Sequence, residues 1–220
     1  MQIGIVGAGR IGGNAARLLA AAGHEVRLSF ARDRSTLSDL AGAIGDRASV
    51  GEVADTVLFG EVVILSVPWD VIPLALEQAG DLTGRIVIDT TNQFGSSAMP
   101  PPGQTAAQFN AARMPGARYT KSFNTLTAGF QAEAAGRSGD ARVVQWICGD
   151  DPEAKQVVAG LIDDAGFAPV DLGGTAECAV MESPRRPGAV YGEEYRLADA
   201  QRVVAALRAG QPIPPAPSYD

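Results

Sequence analysis

The sequence predicts an α/β fold: a doubly wound, mostly parallel sheet with a smaller C-terminal portion. Three observations predict it. Short apolar segments alternate with amphipathic helical segments, and the run at residues 62–67 is apolar at every position but Ser66. A glycine-rich turn joins the first apolar run to the first helical segment. A repeated strand and helix order is typical of parallel sheets that carry helices on both faces.

The first half of the chain supplies most of this alternation. After the apolar run 3–6, apolar side chains recur at helical spacing over residues 10–22, and Gly23 ends that helix. Later strands are short apolar runs bounded by glycine, proline or polar residues. The elements predicted up to Asn92 are strands 3–6, 25–30, 48–50, 62–67 and 86–89, and helices 10–22, 35–44, 52–58 and 71–79.

A segment rich in glycine, serine and proline at 95–103 then predicts a mobile loop. Beyond it, Asp150 and Asp151 are N-cap candidates for a helix with Pro152 in its first turn. The elements predicted there are helices 105–113, 126–134, 152–165 and 193–209, and strands 118–123, 142–149 and 168–172. We divide the chain into a nucleotide-binding domain, 1–123, and a smaller α/β portion packed on it, 124–220, which ends in an irregular proline-rich tail.

The composition favours a globular protein and excludes several classes of function. Charged residues make up 20% of the 220 residues and hydrophobic residues 46%, as in ordinary folded chains. The net charge of -7 argues against nucleic acid as a partner, because a duplex binder needs a basic face. The sequence has no apolar run of about 18 residues, the length that would predict a membrane-spanning helix. The first residues enter a strand rather than a signal sequence, so we expect a cytoplasmic protein.

The cysteines and the histidine do not indicate a metal site. Cys148 and Cys178 show no metal-ligand spacing, so we expect free thiols. The single histidine, His24, excludes a His-rich site, and we expect it to be structural. Apart from Lys121 and Lys155 the cations are arginines, which suit bidentate phosphate contacts.

The opening sequence MQIGIVGAGRIGG places Gly7, Gly9 and Gly12 at the G-x-G-x-x-G spacing. In dinucleotide-binding folds the first glycine permits a tight turn, the second lets the backbone approach a pyrophosphate, and the third lets the helix pack closely on the strand. Unpaired N–H groups at the helix N-terminus favour the anion. The motif alone is weak evidence, but its place between a strand and a helix predicts a Rossmann-type dinucleotide site.

The end of the second strand favours NADP over NAD. NAD binders usually carry a carboxylate there for the ribose 2'-hydroxyl, whereas this chain has Ser29, Arg32 and Arg34. Arg32 can bind a 2'-phosphate and stack on the adenine, Ser29 can add a hydroxyl donor, and Arg34 is a second cation. Asp33 has the opposite sign and is explained as a helix N-cap or as a partner of a neighbouring arginine. The alternative is that both arginines form a solvated pair.

Further segments connect the chain with a known family. They are GHEV at 23–26, SVPW at 66–69, DTTN at 89–92, KSFNTL at 121–126, GDDPEAK at 149–155 and GFAPV at 166–170. In this order, and together with the glycine turn, they resemble the F420H2:NADP oxidoreductase-like family. The resemblance covers residues 1 to about 172. It implies hydride transfer between NADP(H) and the deazaflavin coenzyme F420, in which the cofactors carry the chemistry and no acid or base residue is required.

The resemblance also implies roles for individual residues. Val67, Pro68 and Trp69 would border the nicotinamide, and Asn92 and Asn124 would donate hydrogen bonds to the carboxamide or to the second ring. A packed indole and loop-capping asparagines are the alternatives. The pyrophosphate turn comprises Gly7, Ala8, Gly9, Arg10, Ile11 and Gly12.

The chain departs from the family pattern in two places. Phe30 and Ala31 stand where asparagine and serine are typical, and residues 181–191 do not match the expected apolar helical ending. Arg185 and Arg186 there could serve an anionic coenzyme tail or, as we favour, pin the C-terminal segment to an acidic neighbour.

Other functions remain open at this stage. They are an NADPH-dependent reductase of another small imine, carbonyl or flavin substrate, and a non-catalytic NADP-binding sensor or partner module. The family generally associates, so we expect a homo-oligomer, most simply a homodimer, with a small redox coenzyme as partner and neither nucleic acid nor membrane.

Overall fold

The computed structural model describes residues 1–96 and 98–219, and within these ranges one eight-stranded sheet forms the centre of the molecule. Ser97, in the predicted loop, and Asp220, in the predicted tail, lie outside the described residues. The strands are β1 Gln2–Val6, β2 Glu25–Ser29, β3 Ala48–Val50, β4 Val62–Leu65, β5 Ile86–Asp89, β6 Arg118–Lys121, β7 Val144–Gly149 and β8 Ala168–Gly173. The helices are α1 Arg10–Ala21, α2 Arg34–Ile44, α3 Val53–Phe59, α4 Ile72–Ala79, α5 Ala106–Ala112, α6 Ala128–Ala134, α7 Pro152–Asp164 and α8 Leu197–Arg208.

The sheet has the order β3-β2-β1-β4-β5-β6-β7-β8, and all neighbours are parallel except β6 and β7. The predicted fold class, a Rossmann-type and mostly parallel sheet, is confirmed. The chain winds from β1 outward to β3 and then returns to place β4 on the other side of β1. A crevice for ligands opens beyond the carboxyl ends of the strands at such a reversal.

Both faces of the sheet are buried, as a doubly wound fold requires. Ile3, Ile5 and Ile64 belong to one apolar cluster, whereas Val6 and Leu65 belong to the cluster on the opposite face. Successive side chains on a strand point to opposite faces, so a strand covered on both sides must be apolar throughout. That is why the central strands appear in the sequence as continuous apolar runs.

The sheet continues through the domain boundary predicted at residue 123. Lys121 of β6 pairs with Cys148 of β7, so the two parts share hydrogen bonds in one sheet. The division into two domains stays a prediction. Among the described residues, no helix is long and apolar enough to cross a membrane.

The last helix is shorter than predicted. It begins at Leu197 instead of residue 193 because the preceding residues are extended along the start of β7. Val144 donates its backbone N–H to the Tyr195 carbonyl, and Val143 and Arg196 form an antiparallel bridge. This contact returns the C-terminal segment to the edge of the sheet where the crevice lies.

Of the two predicted N-caps of α7, only Asp151 caps the helix. Its carboxylate accepts a hydrogen bond from the Ala154 N–H at 3.0 Å. Asp150 instead accepts hydrogen bonds from the backbone and the hydroxyl of Thr175.

The irregular C-terminal tail is held against helix α8, since the Tyr219 hydroxyl donates to Asp199 at 2.7 Å.

A fully buried polar cluster anchors the loop that follows β5. Asp89 accepts hydrogen bonds from the Tyr119 hydroxyl at 2.6 Å, the Asn110 amide at 2.9 Å and the Thr91 N–H at 2.7 Å. The Lys121 ammonium lies 3.5 Å from the same carboxylate and donates to the Thr91 carbonyl at 2.6 Å. Burial opposes ionisation of Asp89, but the charge of Lys121 and these hydrogen bonds hold its pKa below the usual value. The cluster therefore fixes Thr91 at the end of the sheet.

Replacing Asp89 by asparagine should lower the free energy of unfolding by about 3 kcal/mol at neutral pH, because the Lys121 ammonium stays buried without its counter-ion. The pKa of Asp89 is depressed in the folded state, so its stabilisation is complete above the unfolded-state pKa of about 4. It is lost as the pH falls through the lower folded-state pKa.

Urea unfolding of both proteins between neutral and acidic pH measures this difference. The gap between wild type and Asp89→Asn should narrow toward acid. Asp39→Asn, on the exposed side of α2, is the control and should unfold like wild type at neutral pH. A gap that stays constant at all pH values would contradict the assignment.

Candidate active site

The three glycines of the turn meet different surroundings. Gly7 has a φ of +102°, and a Cβ there would lie 2.2 Å from the Ser66 carbonyl oxygen. A Cβ on Gly12 would lie 2.1 Å from the Gly7 carbonyl oxygen. A Cβ on Gly9 would meet nothing within 4 Å. Gly7 and Gly12 are therefore required by the protein's own packing, whereas Gly9 leaves open space in front of the turn, as a backbone that approaches a pyrophosphate requires.

The N-terminus of α1 is available to an anion. Gly9 is the N-cap residue, no side chain caps the helix, and its first turn carries no acidic residue. The first N–H groups of a helix have no intrahelical partner and carry partial positive charge. Arg10, at the first helical position, is exposed and makes no ion pair within the described part of the chain. These residues fit a diphosphate.

The prediction that the Ser29 hydroxyl contacts the 2'-phosphate is corrected by the structure. Ser29 is fully buried, and its hydroxyl donates to the Ile5 carbonyl at 3.2 Å. Ile5 belongs to β1, the strand that pairs with β2, so the hydroxyl is engaged inside the sheet. A phosphate outside β2 cannot reach it.

The two arginines after β2 differ in their partners. Arg32 is exposed and, among residues 1–96 and 98–219, makes no ion pair. Arg34 forms an ion pair with Glu52 at 2.6 Å, with both side chains mostly exposed. Asp33 is the N-cap of α2 and accepts the Ser35 N–H at 2.9 Å, which is the capping role predicted for it. Arg32 is thus the free cation of the pair.

A cavity of about 1070 Å³ lies at the carboxyl ends of β1, β4, β5 and β6. Ligand sites in proteins commonly have about 300–1000 Å³, so the cavity is large enough for more than one ring. It brings together the following predicted residues: Gly9, Arg10, Ile11, Val67, Pro68, Trp69, Asn92 and Asn124. The other predicted residues do not line it: Gly7, Ala8, Gly12, Ser29, Arg32 and Arg34.

Trp69 is part of the wall as a packed indole. Its side chain is 1% exposed, and its Nε1 donates to the Ala98 carbonyl at 3.1 Å. The indole stacks on Phe109 with ring centroids 6.0 Å apart. The structure favours the packing alternative, since this indole is already enclosed by the loop and by α5.

Asn92 and Asn124 bind each other and the C-terminal segment. Asn92 Nδ2 donates to the Asn124 carbonyl at 2.9 Å, and Asn124 Nδ2 donates to Asn92 Oδ1 at 3.1 Å and to the Met181 carbonyl at 2.7 Å. Both protons of the Asn124 amide are therefore used inside the protein. The prediction that Asn124 donates to a ligand is corrected, whereas Asn92 keeps one N–H for a ligand.

The cavity also has a wall that sequence reasoning missed. Residues 125–130, which lead into α6, form one side, and Phe94 lies near Tyr191 at the mouth. Arg185 and Glu194 also line it. The family resemblance implies that the region of residues 181–191 lies near the second ligand, but the departure of this segment from the family pattern left its contacts, and the wall formed by residues 125–130, without a prediction.

Hydrogen bonds to helix α5 hold this C-terminal segment in place. The buried Glu182 carboxylate accepts the N–H groups of Ala106 and Ala107 at 2.9 and 2.8 Å. A carboxylate at a helix N-terminus is favoured by the unpaired donors and by the helix dipole. The segment is thereby attached to the start of α5.

The charged groups at this end of the cavity are paired. Arg185 forms two hydrogen bonds with Glu193, and Glu194 accepts from Arg137 at 3.0 Å. Arg186 donates to backbone carbonyls, including that of Glu182 at 2.8 Å. These contacts agree with the structural role favoured for Arg185 and Arg186.

The Rossmann-type sheet, the glycine turn before the uncapped helix α1 and the adjoining cavity are together typical of a dinucleotide-binding oxidoreductase. A family profile described as NADP oxidoreductase, coenzyme F420-dependent, matches residues 2–93. The chain belongs to this family of NADP-dependent oxidoreductases.

Two solved structures are similar over most of their length. A hypothetical protein, SMa0349 from Sinorhizobium meliloti, is 31% identical with a TM-score of 0.77, covering 89% of this chain and 95% of that one. A candidate F420-dependent NADP reductase from Arthrobacter sp. FB24 is 25% identical with a TM-score of 0.66, covering 79% and 85%.

Rat (Rattus norvegicus) metalloreductase STEAP3 is 28% identical over 182 residues, or 83% of this chain. The chain spans about a third of that relative's length, 36%.

Gly9→Ala and Gly12→Ala should separate binding from folding. Gly9→Ala should lower the free energy of unfolding by less than about 1 kcal/mol and weaken NADPH binding at least about tenfold, since the new methyl group occupies the space of the diphosphate. Gly12→Ala should destabilise the fold, because its Cβ meets a backbone carbonyl. Thermal unfolding and NADPH titration measure both. If Gly9→Ala and wild type bound NADPH with equal affinity, the expected position of the diphosphate would be wrong.

Proposed function

We propose that the protein transfers a hydride between NADP(H) and the deazaflavin coenzyme F420. The observation that carries the proposal is that one continuous cavity reaches from the glycine turn past Val67 and Pro68 to Tyr191. One end suits the diphosphate of a dinucleotide, and the other has room for a second ring. The family description supports F420 as that second ring.

The lining residues agree with a reaction that needs positioning more than acid–base catalysis. Among the described residues that line the cavity there is no histidine, lysine, aspartate or cysteine, and Glu194 is paired with Arg137. When bound, the nicotinamide and the deazaflavin supply the hydride donor and acceptor. The protein then has to hold the two rings against each other and keep water from between them.

Specific residues would hold the dinucleotide. The α1 N-terminus and Arg10 would bind the diphosphate, and Val67 and Pro68 would border the nicotinamide. Arg32 would bind the 2'-phosphate, with Arg34 as a second cation only if its ion pair with Glu52 opens. A homodimer and a cytoplasmic location belong to the same proposal and rest on the family resemblance and on composition.

Arg32→Ala should weaken NADPH binding by about 1.5–3 kcal/mol, the usual contribution of a hydrogen bond to a charged group, and leave NADH binding nearly unchanged. Arg34→Ala is the matched control, and its smaller expected effect reflects its existing ion pair with Glu52. Titration of each variant with both nucleotides measures the difference. Equal losses of NADPH and NADH affinity would show that Arg32 does not read the 2'-phosphate.

A second candidate function, reduction of a small carbonyl or imine by NADPH, is favoured by one group. Tyr191 lines the cavity, and burial raises the pKa of its hydroxyl. It stays protonated at neutral pH and could donate the proton that such a reduction needs. Transfer to a deazaflavin does not require this donor, because the ring nitrogen can take its proton from solvent.

Anaerobic mixing of NADPH, oxidised F420 and protein tests the main proposal, with deazaflavin absorbance as the signal. We expect bleaching at a rate that Tyr191→Phe changes less than about threefold. A loss of about 10²-fold or more in Tyr191→Phe, typical of a missing general acid, together with turnover of imines or carbonyls, would favour the second candidate.

A third outcome separates catalysis from binding alone. NADPH binding without reduction of any deazaflavin, flavin, carbonyl or imine would overturn both candidates. It would leave a non-catalytic NADP-binding module as the function.

A further inference from the structure

Two aromatic rings meet at the mouth of the cavity, far along the chain from each other. Phe94, in the loop after β5, is 59% exposed. Its ring centroid lies 6.3 Å from that of Tyr191, with the planes inclined by 58°. Both residues line the cavity. An exposed aromatic side chain at a ligand cavity offers apolar area that a bound ring would cover.

Hydrogen bonds hold the backbone on both sides of this pair. Beside Phe94, Gln93 Nε2 donates to the Ser183 carbonyl at 2.9 Å. Next to Tyr191, Gly192 donates its N–H to the Thr125 carbonyl at 2.9 Å. The two rings are therefore presented at a defined place, so little ordering is needed when a ligand binds.

The charges near the aromatic pair are already neutralised. Arg185 donates to Glu193 through Nε and through Nη2, the latter at 2.9 Å. Glu194 is paired with Arg137 at 3.0 Å. Of the arginines that line the cavity, Arg10 is free of ion pairs within the described chain, and it lies at the dinucleotide end. At the acceptor end the described lining residues thus offer aromatic area, and the one arginine among them, Arg185, is already paired.

We propose that Phe94 and Tyr191 recognise the hydride acceptor by its planar tricyclic ring, and that an anionic tail on the acceptor contributes little to binding. This inference rests on the proposed function, since it concerns the second ligand of the same cavity. The specificity for the acceptor then comes from contact between these two side chains and the acceptor ring. Any acceptor with a flavin-like or deazaflavin-like tricyclic ring fits this class, whether or not it carries phosphate or carboxylate groups.

Binding of ring compounds in the presence of NADP+ tests the inference without turnover. The probes are riboflavin and FMN, which differ by a phosphate, and complete F420 against its deazaflavin-ribityl fragment, which lacks the anionic tail. Ligand fluorescence gives the affinities. Within each pair we expect affinities within about threefold of each other, with little dependence on salt, because screening acts only on charge interactions.

Variants at the mouth give the second part of the test. Phe94→Ala and Tyr191→Ala should each weaken both members of a pair by the same factor, about three- to tenfold, as expected for a lost aromatic contact. Tyr191→Phe keeps the ring and should bind like wild type. Met99→Ala is the matched control, since Met99 is exposed in the same loop but does not line the cavity.

Several results would overturn the inference. One is a tailed ligand that binds more than about tenfold tighter than its partner without the charged tail, with an advantage that salt abolishes. A second is that Phe94→Ala and Tyr191→Ala both bind the ring compounds as tightly as wild type does. A third is that the protein binds none of the ring compounds. If the rings bind with the expected pattern but NADPH reduces none of them, the inference stands and the proposed function fails. If F420 is reduced but both alanine variants bind normally, the reverse holds.

Discussion

Close backbone contact at the end of β1 is the constraint on which the site depends. Gly7 and Gly12 have no room for a side chain because the Ser66 carbonyl and the turn's own backbone occupy it. This contact joins β1, α1 and the residue after β4 at the place where the sheet changes its winding direction. The N-terminus of α1 is thereby directed along the same edge on which Val67 and Pro68 lie. Any loosening here would move the anion site away from the rest of the cavity.

The cavity has two halves with different origins. The half at the glycine turn is backbone: an uncapped helix terminus and open space over Gly9. The other half is made of side chains and of a C-terminal segment, which Glu182 binds to helix α5 and Asn124 binds to the loop after β6. The buried cluster around Asp89 supports both, because it fixes Thr91 between them.

The fold could be predicted from the sequence because its signals are local. Continuous apolar runs such as 62–67 require burial on both faces, and the glycine spacing requires a tight turn between a strand and a helix. Asp33 could be anticipated as an N-cap for the same reason. The environment of Ser29 depends on how its side chain is oriented in β2. The environment of Asn124 depends on its hydrogen bond to Met181, which is 57 residues away in the sequence. The wall with Tyr191 depends on the antiparallel pairing of β7, which no local pattern indicates.

The two ends of the cavity are separated by most of the chain, since Arg10 and Arg185 both line it. Contacts between residues so far apart in sequence form late, because the intervening loop must close before they can contribute. During synthesis the glycine turn and β1 to β4 leave the ribosome well before residues 181–194. The glycine turn can therefore form during synthesis before the cavity wall that residues 181–194 complete.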